Sequence, residues 1–174
     1  MADVPAGLSL EHNRDLVGRE KHPWTRRALV ALLAAILLAG LLNLFGQRPS
    51  STTAAVPEAS LTVHAPTHLR GGLLFEARIT VAATEEIERA AVVLDQGWLE
   101  GITVNTIEPS PIGEASRDGR LVLELGRVPA GDEHVLYLQM QVNPTTVGRR
   151  STDVVLEDDA RVLARVDRTV TIWP

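Results

Sequence analysis

The spacing of apolar residues changes character once along this 174-residue chain. Residues 28–45, ALVALLAAILLAGLLNLF, run for eighteen positions without a charge, directly after Arg26-Arg27. From Ser60 onward apolar and polar residues alternate instead. Leu61, Val63 and Ala65 are interleaved with Thr62 and His64, and Phe75, Ala77, Ile79 and Val81 with Glu76, Arg78 and Thr80. Leu121, Leu123 and Leu125 form a third face, and Leu136, Leu138, Met140 and Val142 a fourth. A period of two is the signature of a strand with one face on a core and one in water.

Shorter apolar runs at 90–94, 102–107 and 153–156 lie between turn formers such as Gly71-Gly72, Pro109-Ser110-Pro111, Asp118-Gly119 and Pro129-Ala130-Gly131. The last stretch predicts buried Val162, Ala164 and Val166, then Val170 and Ile172. Arg168 falls on that same face, so a bend is expected near Asp167-Arg168, where the chain changes sheet. Seven to eight short strands with no helix among them predict an all-β fold, an immunoglobulin-like antiparallel β-sandwich over residues 58–174.

The uncharged run predicts a transmembrane helix over 28–45. Eighteen residues at about 1.5 Å each span roughly 27 Å, near the ~30 Å hydrocarbon core. Eight Leu with Val30, Ile36 and Phe45 favour insertion by roughly 3–7 kcal/mol, opposed only by Asn43. Arg19, Lys21, Arg26 and Arg27 precede the helix, and only Arg48 follows it closely, which predicts a cytoplasmic N-terminus and an extracytoplasmic C-terminal domain at the plasma membrane. A cleaved secretory signal is the rival, with a small-residue site at Thr53-Ala54-Ala55. The apolar stretch exceeds the 7–15 residues of such signals, and 27 residues precede it. Residues 1–27 are expected as a disordered tail. Residues 46–57, GQRPSSTTAAVP, are expected as a linker reaching about 40 Å.

Beyond residue 27 the chain carries twelve basic and eighteen acidic residues, a balance with no electrostatic reason to bind nucleic acid. No cysteine is present, so the domain must hold together by packing alone, and no lipid-modified cysteine can serve as anchor.

The run Leu125-Gly126-Arg127-Val128-Pro129-Ala130-Gly131 before an alternating strand resembles immunoglobulin-like domains of bacterial surface proteins, the DUF11 and NEW3 repeats among them. The segments FGQRPS at 45–50, LDQGWLEGITVNTIEPSP at 94–111 and QVNPTTVGRR at 141–150 are similar to those of single-pass membrane proteins of actinobacteria. The resemblance implies location and fold, and transfers no site residues.

Candidate chemistry is sparse, and no catalytic, cofactor-binding or metal-binding residue is expected. His64 and His68 flank Pro66 in strand-like sequence, where four residues span about 13 Å, too far for one zinc at ~2.0–2.1 Å from each nitrogen. Ser110, Ser116 and Ser151 lack the G-x-S-x-G turn of a hydrolase nucleophile. Glu157-Asp158-Asp159 reads as a solvated hairpin tip rather than a Ca²⁺ cage. The loop 95–101 sets Trp98 between two glycines, beside Gln96 and Glu100. Those three residues are the expected contacts for a protein partner or a cell-envelope glycan, and the other reading folds Trp98 back over the core. The loop 109–119 is expected at the same end. In the helix, Ala31, Ala35, Ala39 and Asn43 share one face, as small-residue helix contacts do. Three function classes stand: a membrane-anchored binding or assembly module, a glycan-binding domain, and an extracytoplasmic hydrolase.

Overall fold

The computed structural model describes residues 22–42, 44 and 47–174. The tail expected over 1–27 lies outside the described residues up to position 21, as do Asn43 and Phe45. The chain divides into two compact units, 1–45 and 46–174.

The first unit holds helix α1, His22–Leu41. It begins about a turn and a half before the expected Ala28, because Pro23 fits the first turn of a helix, where its missing N–H costs nothing. Trp24, Arg26 and Arg27 are therefore helical, and the Arg27 guanidinium lies 5.9 Å from the centre of the Trp24 ring. Hydrogen bonds from the Leu42 amide to Leu38 O and the Leu44 amide to Ala39 O carry the winding past Leu41. The segment Pro23–Leu41 is long and apolar enough to cross a membrane.

The second unit is built from thirteen strands: β1 (Pro49–Ala55), β2 (Ala59–Pro66), β3 (His68–Arg70), β4 (Leu74–Ala83), β5 (Ile87–Leu94), β6 (Ile102–Glu108), β7 (Gly113–Arg117), β8 (Arg120–Val128), β9 (Glu133–Val142), β10 (Gly148–Ser151), β11 (Val154–Asp158), β12 (Arg161–Val166) and β13 (Thr169–Trp173). One sheet runs β1-β2-β4-β9-β6 and another β12-β11-β5-β8-β7. A three-stranded sheet, β10-β13-β3, contains the one parallel pair among the described residues, β13 with β3. The architecture is the expected immunoglobulin-like β-sandwich.

Alternation determines which side chains meet. Leu61 and Val63 of β2, Ile79 and Val81 of β4, and Leu136, Leu138 and Met140 of β9 are wholly buried. They face Val92 and Leu94 of β5, Leu123 of β8 and Leu156 of β11, all in one core. Each such side chain contributes about 1.5–3 kcal/mol by leaving water, which offsets the ordering of the strands in a domain without disulfides.

Three expectations need correction. Residues 46–57 are not simply a linker, since Pro49–Ala55 pair along the whole of β2, from Pro49 opposite Pro66 to Ala55 opposite Ser60. The strand count also exceeds seven to eight. The unforeseen strands β1, β3, β7 and β10 are short or lie at edges, with mostly exposed side chains that leave no period-two trace. Finally, Val162 is 57% exposed. A bulge shifts the register of β11 and β12, from Leu156 opposite Ala164 to Glu157 opposite Val162. Leu163 becomes the extra residue and turns partly into the core in place of Val162.

The chain does pass from one sheet to another at Asp167-Arg168, between β12 and β13. Arg168 is only 7% exposed there. Its guanidinium donates to the Thr52 hydroxyl at 2.7 Å, Ala65 O at 2.7 Å, Ser50 O at 3.1 Å and Val63 O at 3.2 Å. Every one of these acceptors is neutral, and burial draws the Arg168 pKa below its usual value. One side chain thus ties the β1–β2 hairpin to the crossing point.

Candidate binding surface

The expected loop follows β5 as a single 3-10 turn, Gln96–Trp98. A Cβ at Gly97 would overlap the Ser151 carbonyl oxygen, so only glycine lets the turn lie flat on β10. That close approach carries Trp98 inward. It is 3% exposed and its indole N–H donates to Asp153 O at 3.2 Å. Gln96 donates through Nε2 to Asp118 O at 2.9 Å and so tethers the β7–β8 turn, which brings that part of loop 109–119 to the same end. Glu100 stays at the surface, a loose 3.9 Å from Arg150 Nε. Of the three expected contacts, Trp98 is a core residue, Gln96 a tether and Glu100 a surface carboxylate. The exposed aromatic rings of the domain are Tyr137, at 40%, and Trp173, at 50%.

Asp153 organises the same end. Its carbonyl accepts from the Trp98 indole and the Asp95 amide, while its carboxylate accepts from the Arg168 amide at 3.0 Å and from the Arg165 guanidinium. Burial pushes the Asp153 carboxyl up, but the Arg168 amide, Arg165 and Ser151 together pull it below the ordinary value. His64 and His68 are separately occupied, His64 Nδ1 with the Ser51 hydroxyl at 2.8 Å and His68 Nδ1 with the Thr67 hydroxyl at 3.1 Å.

An apolar stripe crosses the outward face of the β12-β11-β5-β8-β7 sheet, where alternation would put polar groups. The register sets Val155 opposite Val93, Val93 opposite Val122, and Val122 opposite Ala115. These three valines form a small cluster separate from the main core, with Ala91 packed against it. Arginines lie along it: Arg165 with Asp153, Arg120 with Asp95 at 3.3 Å, and Arg117 with Glu157. Their stems cover the valines while their charged heads stay in water. Glu157, expected at a solvated tip, is instead 8% exposed, because it accepts from Arg117 Nη2 with both oxygens at 2.7 and 2.6 Å.

Beside that ion pair the same face opens into a hollow of about 370 Å³. Its floor is Ala90, Ala91, Val122 and Gly126, and Ile112, 74% exposed, stands at its edge. A second opening, about 450 Å³, lies between the edges of the two large sheets. Val104 and Ile107 of β6 and Leu121 of β8 line its apolar part, with Glu108 and Glu114 among its polar residues. Neither opening was readable in the sequence. Both depend on which strands end at an edge, although the exposed Ile112 between Pro111 and Gly113 was a signal.

In α1, Ala31 and Ala35 are exposed and Ala39 partly so, on one helix face; Asn43 falls outside the described residues.

No known family profile matches the chain, and no curated protein matches it. Solved structures do. The CARDB domain of a Pyrococcus furiosus protein, in complex with di-metal ions, is 16% identical, with a TM-score of 0.42 over 71% of this chain and 95% of that one. The CaCohA2 domain of Clostridium acetobutylicum is 13% identical, with a TM-score of 0.43 over 64% and 88%. A non-cellulosomal cohesin of Archaeoglobus fulgidus is 12% identical, with a TM-score of 0.39 over 63% and 88%. These are likenesses of architecture, and what those domains bind is theirs.

Proposed function

We propose that this chain is a single-pass plasma-membrane protein, N-terminus inside, whose β-sandwich works outside the membrane as a binding or assembly module for another membrane or envelope protein. The observation that carries the reading is the outward valine stripe with its adjoining hollow. A sheet face meant only for water has no use for Val93, Val122, Val155, Ala91 and Ala115 at successive outward positions. The three valines are themselves covered, at 1%, 8% and 9% exposure, so what a partner would meet is the adjoining hollow with Ala91 and the exposed Ile112, an apolar surface rimmed by charge as protein contacts commonly are. The arginines over it suit that use, since their planar heads can pair anew with a partner's carboxylates or backbone. The helix supports the location, because it carries no charge from Ala28 onward and its basic residues, Arg26 and Arg27, stand together near its start.

Recognition of an envelope glycan is weaker than it was from sequence. Stacking on a sugar needs an open ring face, and the Trp98 ring is inside.

The test is a site-directed crosslink from the hollow. A photoreactive residue placed at Ala91 should trap one protein in native membranes, and Ala91→Arg in a second chain should reduce the recovered complex at least tenfold without lowering the melting temperature. Trapping of no protein, together with substrate turnover by the purified chain, would falsify the reading.

A further inference from the structure

We propose that the free edge of β7 accepts an extended peptide segment carrying basic residues, which lies in the groove between β6 and β7. This rests on reading the domain as a protein-binding module, but uses a surface other than the valine stripe.

Each large sheet ends at this side of the sandwich. β6 pairs only with β9 and β7 only with β8, so both present an unpartnered edge among the described residues. The two edges are unequal. β6 is interrupted by a register shift between Val104 and Thr106, which breaks the spacing of any ladder added to it. β7 pairs with β8 without a shift, from Gly113 opposite Glu124 to Arg117 opposite Arg120, so its other edge is a regular template. Strand addition to such an edge draws affinity from main-chain hydrogen bonds and specificity from pockets for alternate side chains.

The pocket is present and its chemistry is one-sided. Val104, Ile107 and Leu121 pack against the main core and form an apolar floor for every second residue of an added strand. Glu108 and Glu114 belong to the same lining, which holds no arginine, lysine or histidine. Neither carboxylate joins an ion pair within the described domain, although seven of its twelve arginines are paired elsewhere. A cationic side chain between them completes the balance. The same carboxylates give this edge a negative charge in every copy, which opposes edge-to-edge self-association.

The full-length chain in nanodiscs of zwitterionic lipid is titrated with two fluorescent octapeptides, (Val-Lys)4 and (Val-Glu)4, and with empty nanodiscs as reference. Expected are saturable binding of the lysine peptide, weakening with salt, exchange protection of β7 amides, and no saturable binding of the glutamate peptide. The double variant Glu108→Gln/Glu114→Gln should melt at the same temperature and bind the lysine peptide at least tenfold more weakly. Equal binding of both peptides, or unchanged binding by the variant, overturns the inference. So does a variant that dimerises yet still binds, because the carboxylates would then only guard the edge. If the lysine peptide does not bind while a protein is still trapped through the Ala91 crosslink, the groove fails and the module reading stands.

Discussion

Arg168 shows how one residue decides the arrangement around it. Removing the guanidinium breaks its hydrogen bonds to Ser50 O, Thr52 Oγ1, Val63 O and Ala65 O, each worth about 0.5–1.5 kcal/mol. Arg168→Ala should therefore lower the denaturation midpoint clearly, and Arg168→Lys should recover only part, since an ammonium cannot span the β1 and β2 acceptors as the planar fork does. Chemical denaturation of the three chains checks both. Gly97→Ala should cost about 1–3 kcal/mol by the same measurement, because the added methyl displaces the Ser151 backbone and loosens Trp98. Asp153 carries a pH dependence. Its carboxyl is lowered in the folded state, so its contribution is complete above the unfolded aspartate value of 3.8 and is lost as pH falls below that through the folded value. Asp153→Asn should remove about 1.5–3 kcal/mol near neutrality and flatten the acid limb of the stability profile. Sequence reasoning placed Arg168 on the inward face and at the crossing between sheets, because its position continues the alternation. It had no access to the acceptors, which come from strands more than a hundred residues earlier.

At the level of elements, what was legible follows from burial. β2, β4, β8 and β9 alternate along most of their length because each has one face on the core and one exposed. β1 reads Pro-Ser-Ser-Thr-Thr-Ala-Ala, without a large apolar residue, since an edge strand contributes backbone bonds and little core. It joins β2 through its ladder, through the Thr53–Thr62 hydroxyl pair at 2.9 Å and through Arg168. Were 50–53 a tether, replacing all four residues by glycine would leave the domain unchanged. As a strand, the quadruple replacement should cost about 2–4 kcal/mol, from 0.5–1 kcal/mol at each position. Hydrogen exchange should then accelerate at the β2 amides that face β1. The candidate site was less legible than the strands for a related reason. Trp98 was visible as an unusual residue, but its direction is set by the contact of Gly97 with Ser151, fifty-four positions away, and the valine stripe emerges only when the registers of β11, β5 and β8 are combined.

For the whole molecule, the two units make independent demands that a single topology satisfies. In the proposed topology the helix, uncharged from Ala28 onward, lies in lipid, and the acidic sandwich, with eighteen carboxylates beyond residue 27, lies in water. In that topology the basic residues before Ala28 stay cytoplasmic and leave the sandwich on the outer side. The chain has no cysteine, so single introduced thiols can report on each side without background. Tyr137→Cys, on an exposed strand position, should react with a membrane-impermeant maleimide in intact cells. Ala2→Cys should react only after permeabilisation. Both thiols should appear in one band of the full chain's mass, since removal of the segment before Ala55 would take away the helix and also β1, with the Arg168 acceptors Ser50 and Thr52. Labelling in the opposite order would put the valine stripe in the cytoplasm and remove the envelope from its possible partners. A shortened band carrying only the Tyr137→Cys label would show that the chain is released, and that its domain keeps its fold without the edge strand.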